Sequence, residues 1–221
     1  MRRTMIACSM MEDEIRAAMA ELQIDIPIVW MDRGLHADPE LLRAKIQKEI
    51  DNLSDMDEIL LCYGLCGNGT DGLVSAHSRL IIPRFDDCIN MMLCTGKRQG
   101  RGLVEPGVMY ISKGWTQDEK MSVLGIYDSL REQLGDDEEM IQEVIDMMYA
   151  NYRSIALLDT GCYDIEPVQE YVDSCADLLG LETDVVPGSN RIMKELLSGE
   201  YDRNFIVLEV GETLSYSHFN Y

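Results

Sequence analysis

The feature that most constrains the fold is a regular alternation of short apolar segments with longer amphipathic ones. Segments such as "TMIACS" and "DEILLCYG" are typical of buried strands, since they are short and end in turn-forming residues. The segment "MEDEIRAAMAEL" is typical of a helix, because an apolar residue returns every three or four positions. Such alternation predicts an α/β fold with mostly parallel sheets and helices on both faces.

One stretch interrupts this alternation and suggests how the chain is divided. Residues 96–107 are rich in glycine and basic side chains, which predicts a connection. An N-terminal α/β lobe with cysteine-rich strand ends then covers residues 1–95. A C-terminal α/β lobe covers residues 108–221 and carries an acidic helical insert at 117–151. We predict two Rossmann-like lobes around a cleft, with one continuous sheet as the alternative.

Charge and hydropathy exclude several classes of function. A net charge of −21 disfavours binding to nucleic acid or to anionic membrane surfaces, because both depend on clustered Lys and Arg. No apolar run approaches the roughly 20 residues needed to cross a bilayer. The N-terminus does not resemble a signal peptide, so we expect a cytoplasmic protein. The odd number of cysteines, 7, then argues against a disulfide framework.

The cysteines are placed where a parallel sheet would build a site. Ligands bind beyond the carboxyl ends of parallel strands. Cys8, Cys66, Cys88 and Cys162 all end or follow predicted strands. Cys66 lies among glycines and should be poorly covered, which favours a functional thiol. Other thiols are expected to be structural: Cys62 in an apolar run, and Cys94 and Cys175 in predicted helices.

Two kinds of site remain open for the loop "YGLCGNG". Thiolates suit Zn²⁺ or an iron–sulfur cluster, although the spacings match no zinc ribbon or ferredoxin. Alternatively, backbone amides could face an anion, with Arg84 nearby, although an ordinary turn is the simpler interpretation. Cofactor-binding candidates in this loop are Gly64, Gly67 and Asn68. A helix start after Asp87 should stabilise a Cys88 thiolate. His36 could reach the site, but a Cys–His nucleophile pair is not indicated.

Four motifs resemble an uncharacterised family, domain of unknown function 1638, over nearly the whole chain from Cys8 to Gly211. The motifs are "YGLCGNG", "IPRFDDC", "YISKGW" and "ALLDTG". The resemblance places the family's cysteines on Cys8, Cys66 and Cys88. It places the flanking family residues on Arg84, Asp87, Asp159, Thr160 and Gly161. Phe85 stands where the family usually has a histidine, so any role of that histidine would be absent or pass to His36 or Cys162.

The resemblance also implies a setting, because family members are often encoded beside corrinoid-dependent methyltransferases. The favoured hypothesis is a metal-thiolate protein of anaerobic one-carbon metabolism. In it, Cys8, Cys66 and Cys88 hold Zn²⁺ or an iron–sulfur cluster and leave one coordination position open. A corrinoid protein or a methyltransferase is then a possible partner.

Two other functions remain open. The first is a cofactor-independent, racemase-like enzyme in which Cys66 and Cys162 face each other as acid and base, with Asp159 as a further catalytic candidate. The second is a non-catalytic module that binds a small molecule or a methyltransferase partner, with the acidic insert as its docking surface. Thr160 and Gly161 are the candidate ligand-binding residues of the second half.

Overall fold

The short apolar segments form strands, and the amphipathic segments between them form helices. The structure, a computed structural model, describes residues 1–96, 103–117, 122–135 and 137–220. In chain order the strands are β1 (Arg3–Cys8), β2 (Ile28–Met31), β3 (Glu58–Cys62), β4 (Arg79–Pro83), β5 (Val108–Ile111), β6 (Ser154–Asp159), β7 (Glu182–Pro187) and β8 (Phe205–Leu208). The helices are α1 (Glu12–Leu22), α2 (Pro39–Asn52), α3 (Cys88–Leu93), α4 (Lys113–Thr116), α5 (Val123–Leu134), α6 (Glu138–Tyr149), α7 (Glu166–Leu179) and α8 (Arg191–Ser198).

The chain divides into two units, and the division differs from the predicted one. The first unit contains Met1–Leu103 and Gly188–Tyr221, and the second contains Val104–Pro187. The prediction that 108–221 forms one lobe is therefore wrong at its C-terminal end. The physical reason is that β8 adds to the first sheet and α8 packs on α1. Half of the predicted connection, residues 97–102, lies outside the described residues.

The first unit contains a five-stranded sheet of order β2-β1-β3-β4-β8. The first four strands are parallel to their neighbours, and β8 is antiparallel to β4, with Leu80 opposite Leu208. Every residue of β3 is buried, so both faces of the sheet centre are covered. Strands buried on both faces read as continuous apolar runs, which is why "ILLC" could be recognised from sequence.

A buried carboxylate lies at the edge of this sheet where the parallel strands begin, and it pairs with arginines of both neighbouring strands. Glu58 is 2% exposed and pairs with Arg3 at 3.2 Å and with Arg79 at 2.9 Å. Arg3 also donates hydrogen bonds to the backbone oxygens of Leu196 and Leu197 at the end of α8. A buried charge needs such partners, since loss of one would leave the other uncompensated. The network fixes α8 to the sheet on the side away from the cysteines.

The second unit contains a three-stranded parallel sheet of order β5-β6-β7. Ile155 and Leu157 of β6 pack against Val168 and Val172 of α7 in its hydrophobic core, which also includes Cys175. The motif "YISKGW" spans the end of β5 at Ile111 and the short helix α4, Lys113–Thr116.

The predicted α/β class, with mostly parallel sheets, is confirmed in both units. Helix α2 begins after a capping residue, since Asp38 Oδ1 accepts hydrogen bonds from the amides of Glu40 and Leu41, both at 3.0 Å. The predicted insert helices begin at Val123 and Glu138, and residues 118–121 and 136 lie outside the described part. The Rossmann-like character of the units and a cleft between them stay predictions. None of the helices described is long and apolar enough to cross a membrane.

Candidate functional site

Four neighbouring parallel strands of the first sheet each lead to a cysteine or a histidine at the same edge. Cys8 is the last residue of β1, and His36 lies in a short 3-10 helix (Arg33–Ala37) that follows β2. Cys66 follows β3, and Cys88 is the first residue of α3, which follows β4. Since these strands are adjacent in the order β2-β1-β3-β4, their carboxyl ends meet at one edge. We call these four residues the edge cluster.

The Cys8 sulfur lies between an imidazole and a backbone amide. Its Sγ is 3.3 Å from His36 Nε2, a hydrogen-bonding distance for sulfur, and it accepts the Met10 amide at 3.4 Å. The buried hydroxyl of Tyr63 lies beside the same sulfur, although the contact falls short of hydrogen-bond geometry. The Tyr63 ring packs on the His36 ring, with centroids 6.1 Å apart. The contact between the two rings therefore helps to fix the position of His36 beside the Cys8 sulfur.

The loop after β3 is tied directly to the loop after β4. The Leu65 amide donates to the Phe85 oxygen at 2.9 Å, and the Cys66 amide donates to the Asp86 oxygen at 2.7 Å. Gly64 permits this approach, because a Cβ there would lie 2.7 Å from the Phe85 oxygen and 2.8 Å from the Asp87 nitrogen. These contacts fix the position of Cys66. They also fix the position of Cys88, because Cys88 directly follows Asp87 in the second loop.

Cys66 has a backbone conformation that a cysteine seldom adopts. Its φ is 48°, and the next two residues, Gly67 and Asn68, also have positive φ values of 63° and 72°. A left-handed conformation costs an ordinary residue about 1–2 kcal/mol, whereas glycine adopts it freely. The turn predicted for "GNG" is thus present. A cysteine at its first strained position indicates that the thiol side chain matters there.

The edge cluster is more buried than the sequence suggested. Cys66 was expected to be poorly covered, but it is only 9% exposed, and Cys8 and Cys88 are 1% and 6% exposed. The expectation fails because the neighbouring loop, from Phe85 to Asp87, covers the glycine-rich turn. These thiols lie beneath the surface of the first unit.

Burial also dominates the ionisation of the cluster. It raises the pKa of Cys8 to about 11 and raises the pKa of both Cys66 and Cys88. Charges nearby add to the effect, since Cys8 and Asp87 both raise the pKa of Cys66 and of Cys88. The helix start expected to stabilise a Cys88 thiolate is therefore outweighed by desolvation.

His36 is neutral in the same environment. Burial lowers the pKa of its imidazole, and the Asp87 carboxylate offsets part of this effect. Asp87 itself caps α3, because its Oδ1 accepts the Asn90 amide at 2.8 Å. At neutral pH the edge cluster thus holds protonated thiols beside an uncharged imidazole. Each thiol would have to lose its proton to bind a metal cation, whereas the neutral imidazole could bind through its unprotonated nitrogen.

The donor types of the cluster match a soft metal, but their present positions do not form a finished site. Three cysteines and a histidine are the ligands of many zinc centres, and cysteines also hold iron–sulfur clusters. No three His, Cys, Asp or Glu side chains within the described ranges are placed so that they could hold a metal ion together. Binding would require the thiols to deprotonate and their side chains to turn toward one point.

Sequence reasoning placed His36 near the site without identifying Cys8 as its neighbour. The two side chains meet because β2 pairs with β1 and brings the loop after it to Cys8. The expectation that no Cys–His nucleophile pair is indicated stays a prediction. The signal was present in the sequence, since His36 follows a strand as the cysteines do. Periodicity alone does not reveal which strands are neighbours.

The Arg84 side chain, which was a candidate partner for an anion in the glycine loop, contacts backbone oxygens. Its guanidinium donates to the Phe205 oxygen at 3.3 Å and to the Asn220 oxygen at 3.4 Å. These contacts anchor β8 and the C-terminal segment. Gly64, Gly67 and Asn68 serve the close approach and the turn described above, and anion binding by the loop stays a prediction.

Two other buried thiols in the first unit have different surroundings. Cys62 is fully buried within β3, as predicted for a structural residue. Cys94 lies just after α3, and Arg191 Nη2 donates to its sulfur at 3.0 Å. Cys94 is thus a polar contact as well as a buried small residue.

In the second unit, the loop that follows the central strand β6 forms hydrogen bonds within itself and with the end of that strand. Asp159 is exposed, and its Oδ1 accepts the Gly161 amide at 3.0 Å. Cys162 is half-buried and donates to the Thr160 oxygen at 3.4 Å. The Tyr163 hydroxyl donates to the Leu158 oxygen. Since Cys66 and Cys162 lie in different units, their predicted pairing as acid and base stays a prediction.

Comparison with known proteins assigns the chain to a family without assigning an activity. No curated protein and no solved structure matches the chain. The family described as "Protein of unknown function (DUF1638)" matches residues 30–197 of the 221 residues. The matched segment includes His36, Cys66 and Cys88, whereas Cys8 precedes it. Because the match covers well over half of the chain, the protein belongs to the DUF1638 family, as the resemblance of its motifs predicted.

Proposed function

We propose that this protein binds a soft metal, as Zn²⁺ or as an iron–sulfur cluster, through the thiolates of Cys8, Cys66 and Cys88. The observation that carries the proposal is the placement of three buried cysteines at the carboxyl ends of three adjacent parallel strands, along one edge of the sheet. Buried cysteines are common as small hydrophobes. Three of them at neighbouring strand ends, one held at a strained φ, are harder to explain by packing alone.

The mutual influence of the thiols supports their proximity. A charge on Cys8 would raise the pKa of both Cys66 and Cys88, and a charge on Cys66 would raise that of Cys88. Three thiolates at this edge would repel one another, so all three would ionise together only with a cation among them. A divalent metal provides that charge, and the free energy of binding offsets the cost of deprotonating buried thiols.

The backbone supplies the rigidity that such a site needs. The hydrogen bonds from Leu65 to Phe85 and from Cys66 to Asp86 lock two ligand-bearing loops together. Cys8 is fixed by the strand that carries it. A site built on such fixed backbone needs its side chains to turn toward one point. When bound, the metal would supply either a Lewis-acidic or a redox-active centre at this edge.

Metal analysis of the full chain tests the proposal. The protein is purified without oxygen, and its iron and zinc contents are measured per chain alongside its visible absorption. We expect stoichiometric metal: an iron–sulfur cluster would give broad visible absorption, and zinc would be colourless. Protein that contains neither metal, and that takes up neither after anaerobic reconstitution, would refute the proposal.

The one-carbon setting, the corrinoid or methyltransferase partner and a small-molecule ligand stay predictions from the family resemblance. The racemase-like alternative also stays a prediction. It can be separated from the metal hypothesis by measuring solvent deuterium incorporation into amino acids with metal-free protein, where exchange would favour the two-cysteine mechanism.

A further inference from the structure

We infer that His36 is the fourth ligand of this metal site, through Nε2, so that the coordination sphere is three cysteines and one histidine. The inference rests on the proposed function. It adds to that function by filling the fourth coordination position of the metal, which three thiolates would leave open. A closed set of this kind favours Zn²⁺ in a tetrahedral site.

Topology is the first argument. The strand order β2-β1-β3-β4 places the four carboxyl ends side by side, and each end leads to one potential ligand. The cysteines account for β1, β3 and β4. The remaining parallel strand, β2, leads to His36 through the 3-10 helix that follows it. A fourth soft donor thus comes from the one neighbouring strand that supplies no thiol.

Geometry is the second argument. His36 Nε2 already lies 3.3 Å from Cys8 Sγ. This is close to the separation of about 3.5 Å that tetrahedral zinc bonds to sulfur and nitrogen imply. Two of the four ligands are therefore near their final separation before any side chain turns.

The surroundings of His36 are the third argument. The ring packs on Tyr63, with centroids 6.1 Å apart and planes tilted by 32°. A histidine ligand is commonly held in orientation by its neighbours. Tyr63 directly follows β3, so the loop that carries Cys66 also contacts the His36 ring.

Cobalt substitution of the full chain tests the inference. Metal-free protein is titrated with Co²⁺ without oxygen, because tetrahedral Co²⁺ absorbs intensely in the visible range and its spectrum reports the donor set. Zn²⁺ affinity is measured by competition with a chelator. The variants are His36→Ala, His36→Cys and His77→Ala, the last being a matched control because His77 is exposed elsewhere in the first unit.

We expect His36→Ala to shift the Co²⁺ bands and to weaken Zn²⁺ binding by more than the roughly 10–100-fold that loss of an outer-shell partner costs. His36→Cys should restore tight binding and strengthen the thiolate-to-cobalt absorption, which also covers the case in which the alanine variant misfolds. His77→Ala should match the wild type. If neither His36 substitution alters spectrum or affinity, the inference is refuted while the three-cysteine site stands. If the wild type binds neither Co²⁺ nor Zn²⁺, the inference falls, and failure to take up iron as well would refute the proposed function.

Discussion

The carboxyl edges of the two sheets look alike in sequence and differ in the structure. Both "ILLCYGLCG" and "IALLDTGCY" are buried strands that break into a loop with glycine and cysteine. In the first unit, the neighbouring strand ends bring two more cysteines and a histidine to the loop. In the second unit, the neighbours of β6 end in Ile111 and Pro187, and Cys162 bonds to its own loop.

The comparison shows that two cysteine loops of similar sequence can have different neighbours. The carboxyl edges of the two sheets differ in the residues that lie at the ends of the neighbouring strands. Polar groups of the second loop are satisfied locally, by Asp159 and Tyr163. Thiols of the first edge are buried close to strand ends that carry other donors, and the Cys8 sulfur already contacts His36 Nε2 from the neighbouring strand end.

The largest expected difference between the edges is in metal content. Cys66→Ser should abolish stoichiometric metal in anaerobically purified protein, because a site that loses one of three thiolates loses much of its binding free energy. Cys162→Ser should retain it. Both variants are measured by metal analysis, with circular dichroism to confirm folding. Full metal content in a folded Cys66→Ser variant would show that the metal is not held by the first edge.

A second difference concerns thiol reactivity in metal-free protein. At pH 7.5 we expect iodoacetamide to modify the half-buried Cys162 at least about 100-fold faster than Cys8, since thiolate fraction and access both control the rate. The pKa of Cys8 is raised to about 11, so its thiolate fraction should grow with pH up to that value. Peptide mass spectrometry at several pH values measures both rates. Comparable rates at pH 7.5 would mean that the first edge is open to solvent.

A third difference concerns the glycines of the two loops. Gly64→Ala should lower the free energy of unfolding by about 3 kcal/mol, because its Cβ would lie 2.7 Å from the Phe85 oxygen. Gly161→Ala should cost only about 1 kcal/mol, since it has positive φ but no atom within 4 Å of the added Cβ. Urea unfolding measures both changes. An equal loss of unfolding free energy in both variants would show that the loop after β3 does not pack tightly on the loop after β4.

The smallest expected effect tests which thiols belong to the cluster. Cys62→Ala should keep the full metal content and lower the free energy of unfolding by about 1 kcal/mol, because it removes one buried sulfur from β3. Metal analysis and urea unfolding are again the measurements. Loss of metal would add Cys62 to the ligands and would change the predicted coordination.

The elements of the fold were predictable where local patterns decide them. The strands β1, β3 and β6, the cap of α2 and the buried Cys175 all follow from periodicity, apolar runs or capping chemistry. The position of β8 did not follow, because an apolar strand at the end of a chain does not reveal which sheet it joins. That choice depends on long-range packing, here of α8 on α1 and of β8 on β4.

The sequence by itself determined the α/β class, the strand ends that carry thiols and the turn at Gly67 and Asn68, since each depends on residues close together in the chain. Tertiary structure alone decided that His36 reaches Cys8, that Cys66 is buried and that Arg84 is bound to backbone oxygens. The physical reason is that strand order sets which loops are neighbours, and burial follows from those neighbours. A pattern along the chain specifies the groups that can form a site, and the order of the strands selects the ones that meet.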